Sequence, residues 1–176
     1  MKSIKLMFLM LLCLACQEYR VSYPLSDPKI QTNKSDLVGK WRFERGLLLS
    51  DSSELSYGTN SIEIRPFNLH EYIIKLVPDS IETASDVMLF RGFESQIDAV
   101  RYANMTFLEG VDIKPMYSIY KFEVLGEKLI FWGVPEQVFD SLGISITSIS
   151  KHNKFMKKHS SRAIWLHQYE YSKLPD

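Results

Sequence analysis

From Asp36 onward, apolar and polar positions alternate one by one along much of the chain. Trp41 and Phe43 are interleaved with Lys40, Arg42 and Glu44, and Ile62 and Ile64 with Glu63 and Arg65. Tyr72, Ile74 and Leu76 alternate with Glu71 and Lys75, and Met88 and Phe90 continue the pattern. A period of two puts every apolar side chain on one face of an extended strand. Between Met116 and Val124, Tyr120, Phe122 and Val124 share one face while Lys121 and Glu123 share the other. Gly126-Glu127 follows, and glycine supplies the positive φ that a two-residue hairpin turn needs. Leu129-Ile130-Phe131-Trp132 is apolar on both faces, which predicts a strand covered on both sides or partly facing a lumen.

Two short helices are expected near the C-terminus. Pro135 to Gly143 opens with Pro and an acidic first turn and ends on Gly. Ser150 to His159 is the second, with Ser150 as its N-cap. Ile144 to Ile149 reads as a strand between them. Arg162 to Tyr171 reads as the closing strand, with Ala163, Trp165, His167, Tyr169 and Tyr171 on one face. About nine strands of this length and spacing predict a mainly β chain, a single antiparallel β-barrel, with a β-sandwich as the alternative.

The first residues follow a different rule. Lys2 and Lys5 precede an uncharged apolar run from Leu6 to Leu14. A basic start and a short apolar stretch are the marks of a signal peptide. A membrane-spanning helix needs about 20 apolar residues, which this stretch lacks. Leu12-Cys13-Leu14-Ala15-Cys16 resembles the lipobox of bacterial lipoproteins, with Cys13 where leucine is usual and Leu14 bulkier than usual. The resemblance implies attachment of a lipid (diacylglyceryl) group to the Cys16 thiol, cleavage before Cys16, and acylation of the new amine by a chain such as palmitate. Ordinary cleavage after Ala15, leaving a free thiol, is the alternative. Gln17 in place of Asp is similar to the pattern that forwards such proteins to the outer membrane. The organisation expected is therefore a signal peptide over 1–15, a lipidated flexible tether over 16–35 containing Pro24 and Pro28, and a barrel domain over 36–176. Several acyl chains on one cysteine hold firmly, since each buried methylene contributes about 0.8 kcal/mol. With Cys13 removed and Cys16 acylated, no disulfide remains, and the core alone must hold the domain.

Asp36-Leu37-Val38-Gly39-Lys40-Trp41 resembles the opening of lipocalin-type barrels, which carry Gly-x-Trp on the first strand. The resemblance implies that Trp41 plugs the closed end of the barrel and that Arg162 packs across it.

Composition narrows the function classes. The chain has 21 basic and 21 acidic residues, and loss of Lys2 and Lys5 with the leader leaves 19 against 21. That balance gives no footing for nucleic acid. The aromatic and aliphatic stripe of Trp41, Phe43, Tyr72, Ile74, Phe107, Tyr120, Phe122 and Trp132 has two readings. One is the wall of a cavity for a small apolar ligand, which would need at least about 300 Å³; the other is a close-packed core. Lys151, Lys154, Lys157, Lys158 and Arg162 occur without an intervening acid. They suit either anionic headgroups and an envelope protein partner, or a solvated helix whose C-terminal dipole favours cations. His152 and His159 could share a helix face but gain no cysteine or carboxylate to complete a metal set. No serine sits in a Gly-x-Ser-x-Gly elbow, and Glu109 and Asp112 read as loop polarity. No catalytic residue and no cofactor is expected. The sequence thus points to a membrane-anchored, non-enzymatic lipoprotein of the bacterial envelope that binds a small apolar or amphipathic ligand in its lipocalin-like barrel. The alternative is a structural lipoprotein presenting its outer face to a protein or envelope polymer.

Overall fold

Alternation read along the chain becomes inside and outside of a closed cylinder. The computed structural model describes residues 18–30, 35–55, 59–78, 87–108, 115–160 and 164–175. Cys13, Cys16, Glu109, Asp112 and Arg162 lie outside these. The strands are β1 (Arg20–Val21), β2 (Gly39–Leu48), β3 (Ser53–Glu54), β4 (Thr59–Pro66), β5 (Tyr72–Pro78), β6 (Met88–Ile97), β7 (Val100–Phe107), β8 (Tyr117–Leu125), β9 (Lys128–Gly133) and β10 (His167–Lys173). The helices are α1 (Glu136–Ser141) and α2 (Ile149–His159). β4 to β9 pair in chain order, β2 pairs with β4, and β10 lies antiparallel between β9 and β2. Each of these eight strands therefore has two hydrogen-bonded neighbours, a closed antiparallel barrel rather than a sandwich. Closure satisfies both edges of every strand and leaves no open template for aggregation. β1 and β3 are two-residue additions to β8 and β2.

The inward set is the one the period of two selects. Trp41, Ile62, Ile64, Tyr72, Ile74, Leu76, Phe122, Leu129, Phe131, Tyr169 and Tyr171 form one buried cluster. Burying each such side chain stabilises the fold by about 1.5–3 kcal/mol. The β8–β9 hairpin forms where expected: Leu125 pairs with Lys128 and Gly126 has φ +61°.

One end of the cylinder is sealed. Trp41 is wholly buried and its indole N–H donates to the Leu37 carbonyl at 3.1 Å. Arg101, facing inward on β7, lies with its guanidinium 4.5 Å from the Phe122 ring centroid. It donates to both Asp36 oxygens at 2.7 and 2.8 Å and to Glu94 at 2.7 Å. The Tyr72 hydroxyl donates to the other Glu94 oxygen at 2.7 Å. The cation beside Trp41 among the described residues is Lys173, 5.7 Å above the ring. Arg101 and Lys173 thus line this end, and Arg162, expected to pack across it, lies outside the described residues.

A second core lies outside the barrel wall. Tyr102, Ile119 and Ile97 point outward and bury against Phe139 of α1, Phe155 and Met156 of α2, and Trp165. Trp132 joins this cluster too, which explains why β9 is apolar on both faces. The segment expected as a strand at Ile144–Ile149 is irregular up to Ser148. Ile144 and Ile146 pack on the outer core, and Ile149 opens α2. Ser148, not Ser150, caps that helix, accepting from the Lys151 N–H at 3.2 Å. The last strand starts at His167 rather than Arg162.

Residues 18–30, expected within the flexible tether, are bound to the barrel. Tyr19, Val21 and Leu25 are buried in the outer core. Asn104 accepts from the Leu25 N–H at 2.8 Å, and Ser26 and Ser95 share a 2.7 Å hydrogen bond. The His152 ring completes the strap, its Nδ1 2.7 Å from the Tyr23 carbonyl and its Nε2 3.2 Å from the Tyr19 hydroxyl. These contacts fix a neutral imidazole that donates at Nδ1 and accepts at Nε2. Three apolar side chains spaced unevenly carry no periodicity, so their burial left no trace in the pattern.

Two outcomes follow. Arg101→Leu leaves Glu94 buried without its cation and should lower the unfolding free energy in urea by about 3–5 kcal/mol, while Asp36→Asn, more exposed, should cost under about 1 kcal/mol. Burial pushes the His152 pKa down to about 4. Its neutral form thus favours the fold above the unfolded value near 6.5, and that contribution is lost as pH falls from there toward 4. The loss should total about 3 kcal/mol in urea titrations at successive pH values, and His152→Gln should remove this acid-dependent component.

Candidate functional site

The two ends of the barrel differ in their connections. The sealed end carries the short turns 67–71, 98–99 and 126–127, whereas β2, β5, β7 and β9 end, and β4, β6, β8 and β10 begin, at the other. That end, lined by Leu76, Phe90, Met105 and Ser118, is the mouth.

Below that mouth lies a partly open cavity of ≈ 50 Å³. Ile62, Ile74 and Leu76 form one wall, Phe90 and Met105 a second, and Tyr120, Phe131, Tyr169 and Tyr171 the rest, with Ser118 as a small polar break. The volume is well below the 300 Å³ set as the expectation, because aromatic rings occupy the space. Phe131 sits 5.9 Å from Tyr120, 6.0 Å from Phe122 and 6.0 Å from Tyr171, and Tyr171 sits 5.5 Å from Phe43. The cavity admits a slender group, not a bulky one.

The structure divides the expected lining set. Ile74 and Tyr120 face the cavity. Trp41, Tyr72 and Phe122 are buried in the same core nearer the sealed end, and Phe43 flanks it half-buried. Phe107 stands at the rim, 44% exposed, its ring 4.3 Å from Phe90. Trp132 faces outward, donating to Gln168 at 2.9 Å beneath the Lys121 ammonium. Around Phe107 the rim is apolar: Met88, Leu89, Leu108 and Met116 are also exposed, and the Leu108 N–H donates to the Leu89 carbonyl.

A polar group missing from the sequence reading sits at the same end. Gly133 follows Leu129 and Phe131 on the inward face of β9 and pairs with His167. A Cβ at Gly133 would stand 2.2–2.4 Å from the Glu18 carboxylate, so that carboxylate occupies the inside of the mouth. Glu18 Oε1 lies 2.9 Å from His167 Nδ1 and accepts from the Tyr169 hydroxyl at 2.9 Å. Glu18 and His167 are 6% and 4% exposed. Nothing in the pattern around Glu18 marks it, because the residue lies in what read as a tether. The glycine was visible only as the end of an apolar strand.

The basic residues form a surface feature. Lys151, Lys154, Lys157 and Lys158 are all exposed on the outer side of α2, and Lys157 pairs with Asp98 at 3.2 Å. His152 and His159 face the opposite way, into the outer core. Among the described residues no group of three metal-ligating side chains occurs, and no helix is long and apolar enough to cross a membrane.

The chain matches no family model, no curated protein and no solved structure.

Gly133→Ala should expel the Glu18 side chain or force β9 aside, lowering stability by about 1–3 kcal/mol. Hydrogen exchange should then quicken across residues 18–25 while the sealed end keeps its protection.

Proposed function

We propose that this chain is an exported, lipid-anchored envelope protein whose lipocalin-like barrel binds a small apolar or amphipathic molecule through its open end. The observation that carries this reading is the apolar cavity beneath the mouth. At ≈ 50 Å³ it takes only the end of one slender hydrocarbon chain, with the exposed rim residues extending the apolar surface outward over the remainder. Burial of each methylene of such a chain contributes about 0.8 kcal/mol.

Anchoring agrees with this geometry. Glu18 is fixed at the mouth, and Cys16 lies two residues earlier, within about 7 Å of chain. Lipid attached at Cys16 would hold the apolar rim toward the bilayer rather than on the end of a long leash. The role is one of binding, without catalysis or cofactor. The outer membrane is the expected location.

The reading is tested with a fluorescent single-chain amphiphile titrated against the exported protein, beside Met105→Trp, which fills the cavity from one wall. Saturable one-to-one binding that weakens at least about tenfold in Met105→Trp is expected. Binding that is unchanged by the substitution, or fails to saturate, would overturn it. Incorporation of labelled palmitate that disappears in Cys16→Ala tests the anchor separately.

A further inference from the structure

The mouth of the cavity holds a carboxylate with one oxygen in use and one without a partner. Glu18 Oε1 takes the Tyr169 hydroxyl and the His167 ring, whereas Glu18 Oε2 is buried and makes no hydrogen bond among the described residues. Both contacts fall on Oε1, with the Tyr169 hydroxyl as a donor. A buried oxygen left unsatisfied costs about 1–3 kcal/mol, more when charged. The missing Gly133 side chain leaves the space that the carboxylate itself fills, and Oε2, unpartnered there, would take a donor brought in along Tyr169 as the Glu18 side chain turns toward it.

Tyr169 connects this group to the cavity. Its ring lines the apolar space and its hydroxyl touches Glu18. A molecule whose chain lies among Ile74, Leu76 and Phe131 would therefore bring its head toward the Glu18–His167–Tyr169 cluster.

We propose that Glu18 Oε2 is the head-group subsite of the barrel, selecting amphiphiles whose head donates a hydrogen bond, such as an alkyl ammonium or alcohol, over carboxylate-headed ones. This rests on the reading that the cavity binds an apolar chain. A second carboxylate brought against Glu18 would find a like charge and no free donor, so a free fatty acid is the disfavoured head. Charge repulsion at short range in a poorly hydrated site is stronger than in water.

Hexylamine, hexanol and hexanoate share one chain and differ in the head. Each is titrated by calorimetry into the exported full chain in lipid nanodiscs, with empty nanodiscs subtracted. Hexylamine and hexanol should bind at least about tenfold more tightly than hexanoate, the ratio expected for one charge-assisted hydrogen bond. Glu18→Gln should bring the three affinities within about threefold of one another, and Tyr169→Phe should leave the order intact because Oε2 remains. Equal binding of all three by the unaltered protein overturns the head-group inference and leaves the cavity reading standing. Saturable binding by none of them overturns both. Where Glu18→Gln fails to fold, the order of the three probes on the unaltered protein decides alone.

Discussion

The last strand, inserted between the first long strand and the ninth, makes the rest of the structure possible. β10 hydrogen-bonds to β2 over seven residue pairs and to β9 over six. Without it the sheet would be open, with two unpaired edges and no enclosed volume. Its inward residues His167, Tyr169 and Tyr171 supply part of the barrel core, part of the cavity wall and the partner of Glu18. The segment between β9 and β10 holds both helices, so pairing these two strands closes a loop of about thirty residues. Local hairpins and one long-range pairing are therefore coupled, and the long-range step carries the greater loop-closure cost.

This arrangement divides the molecule into an inner and an outer core that share one wall. Phe122, Ala103 and Phe131 look inward where Ile119, Tyr102 and Trp132 look outward. The polar groups follow the same division. Arg101, Glu94 and Asp36 seal one end from within, the Asn104, Ser95 and Ser26 chain ties the N-terminal strap to the outside, and Glu18 crosses from strap to interior. Each network holds an element that hydrophobic contact alone would position loosely.

Much of the barrel was legible because strands with one covered face write their burial into every second residue. Trp41, Ile62, Ile74 and Phe122 could be assigned inward without any knowledge of their neighbours. The Gly126 turn was legible for a separate reason, a backbone angle that glycine adopts at no cost. Where neighbours decide, the pattern fails. Ile144 and Ile146 alternate like a strand yet pack as irregular chain, since only the outer core selects their burial. Tyr19, Val21 and Leu25 are docked by contacts with residues more than 75 positions away, and no local period records that. Of the expected ligand-facing residues, Ile74 and Tyr120 were placed by the pattern. Trp132 was not, because an apolar residue on a doubly covered strand cannot say which side is inside. Glu18 was unreadable, being defined by the absence of a side chain at Gly133.

The docked N-terminal strap also has a mechanical consequence. Tension applied to the strap at Glu18 meets a backbone bridge to Pro135 and the carboxylate contacts to β10. It would next load the buried Tyr19 and then the two-residue pairing of β1 with β8, and only afterwards Leu25. Pulling would thus peel a short strap from the outer wall before any stave of the barrel is stressed. The cylinder itself, with every long strand held on both sides, lies behind a fuse of about thirteen residues that yields first.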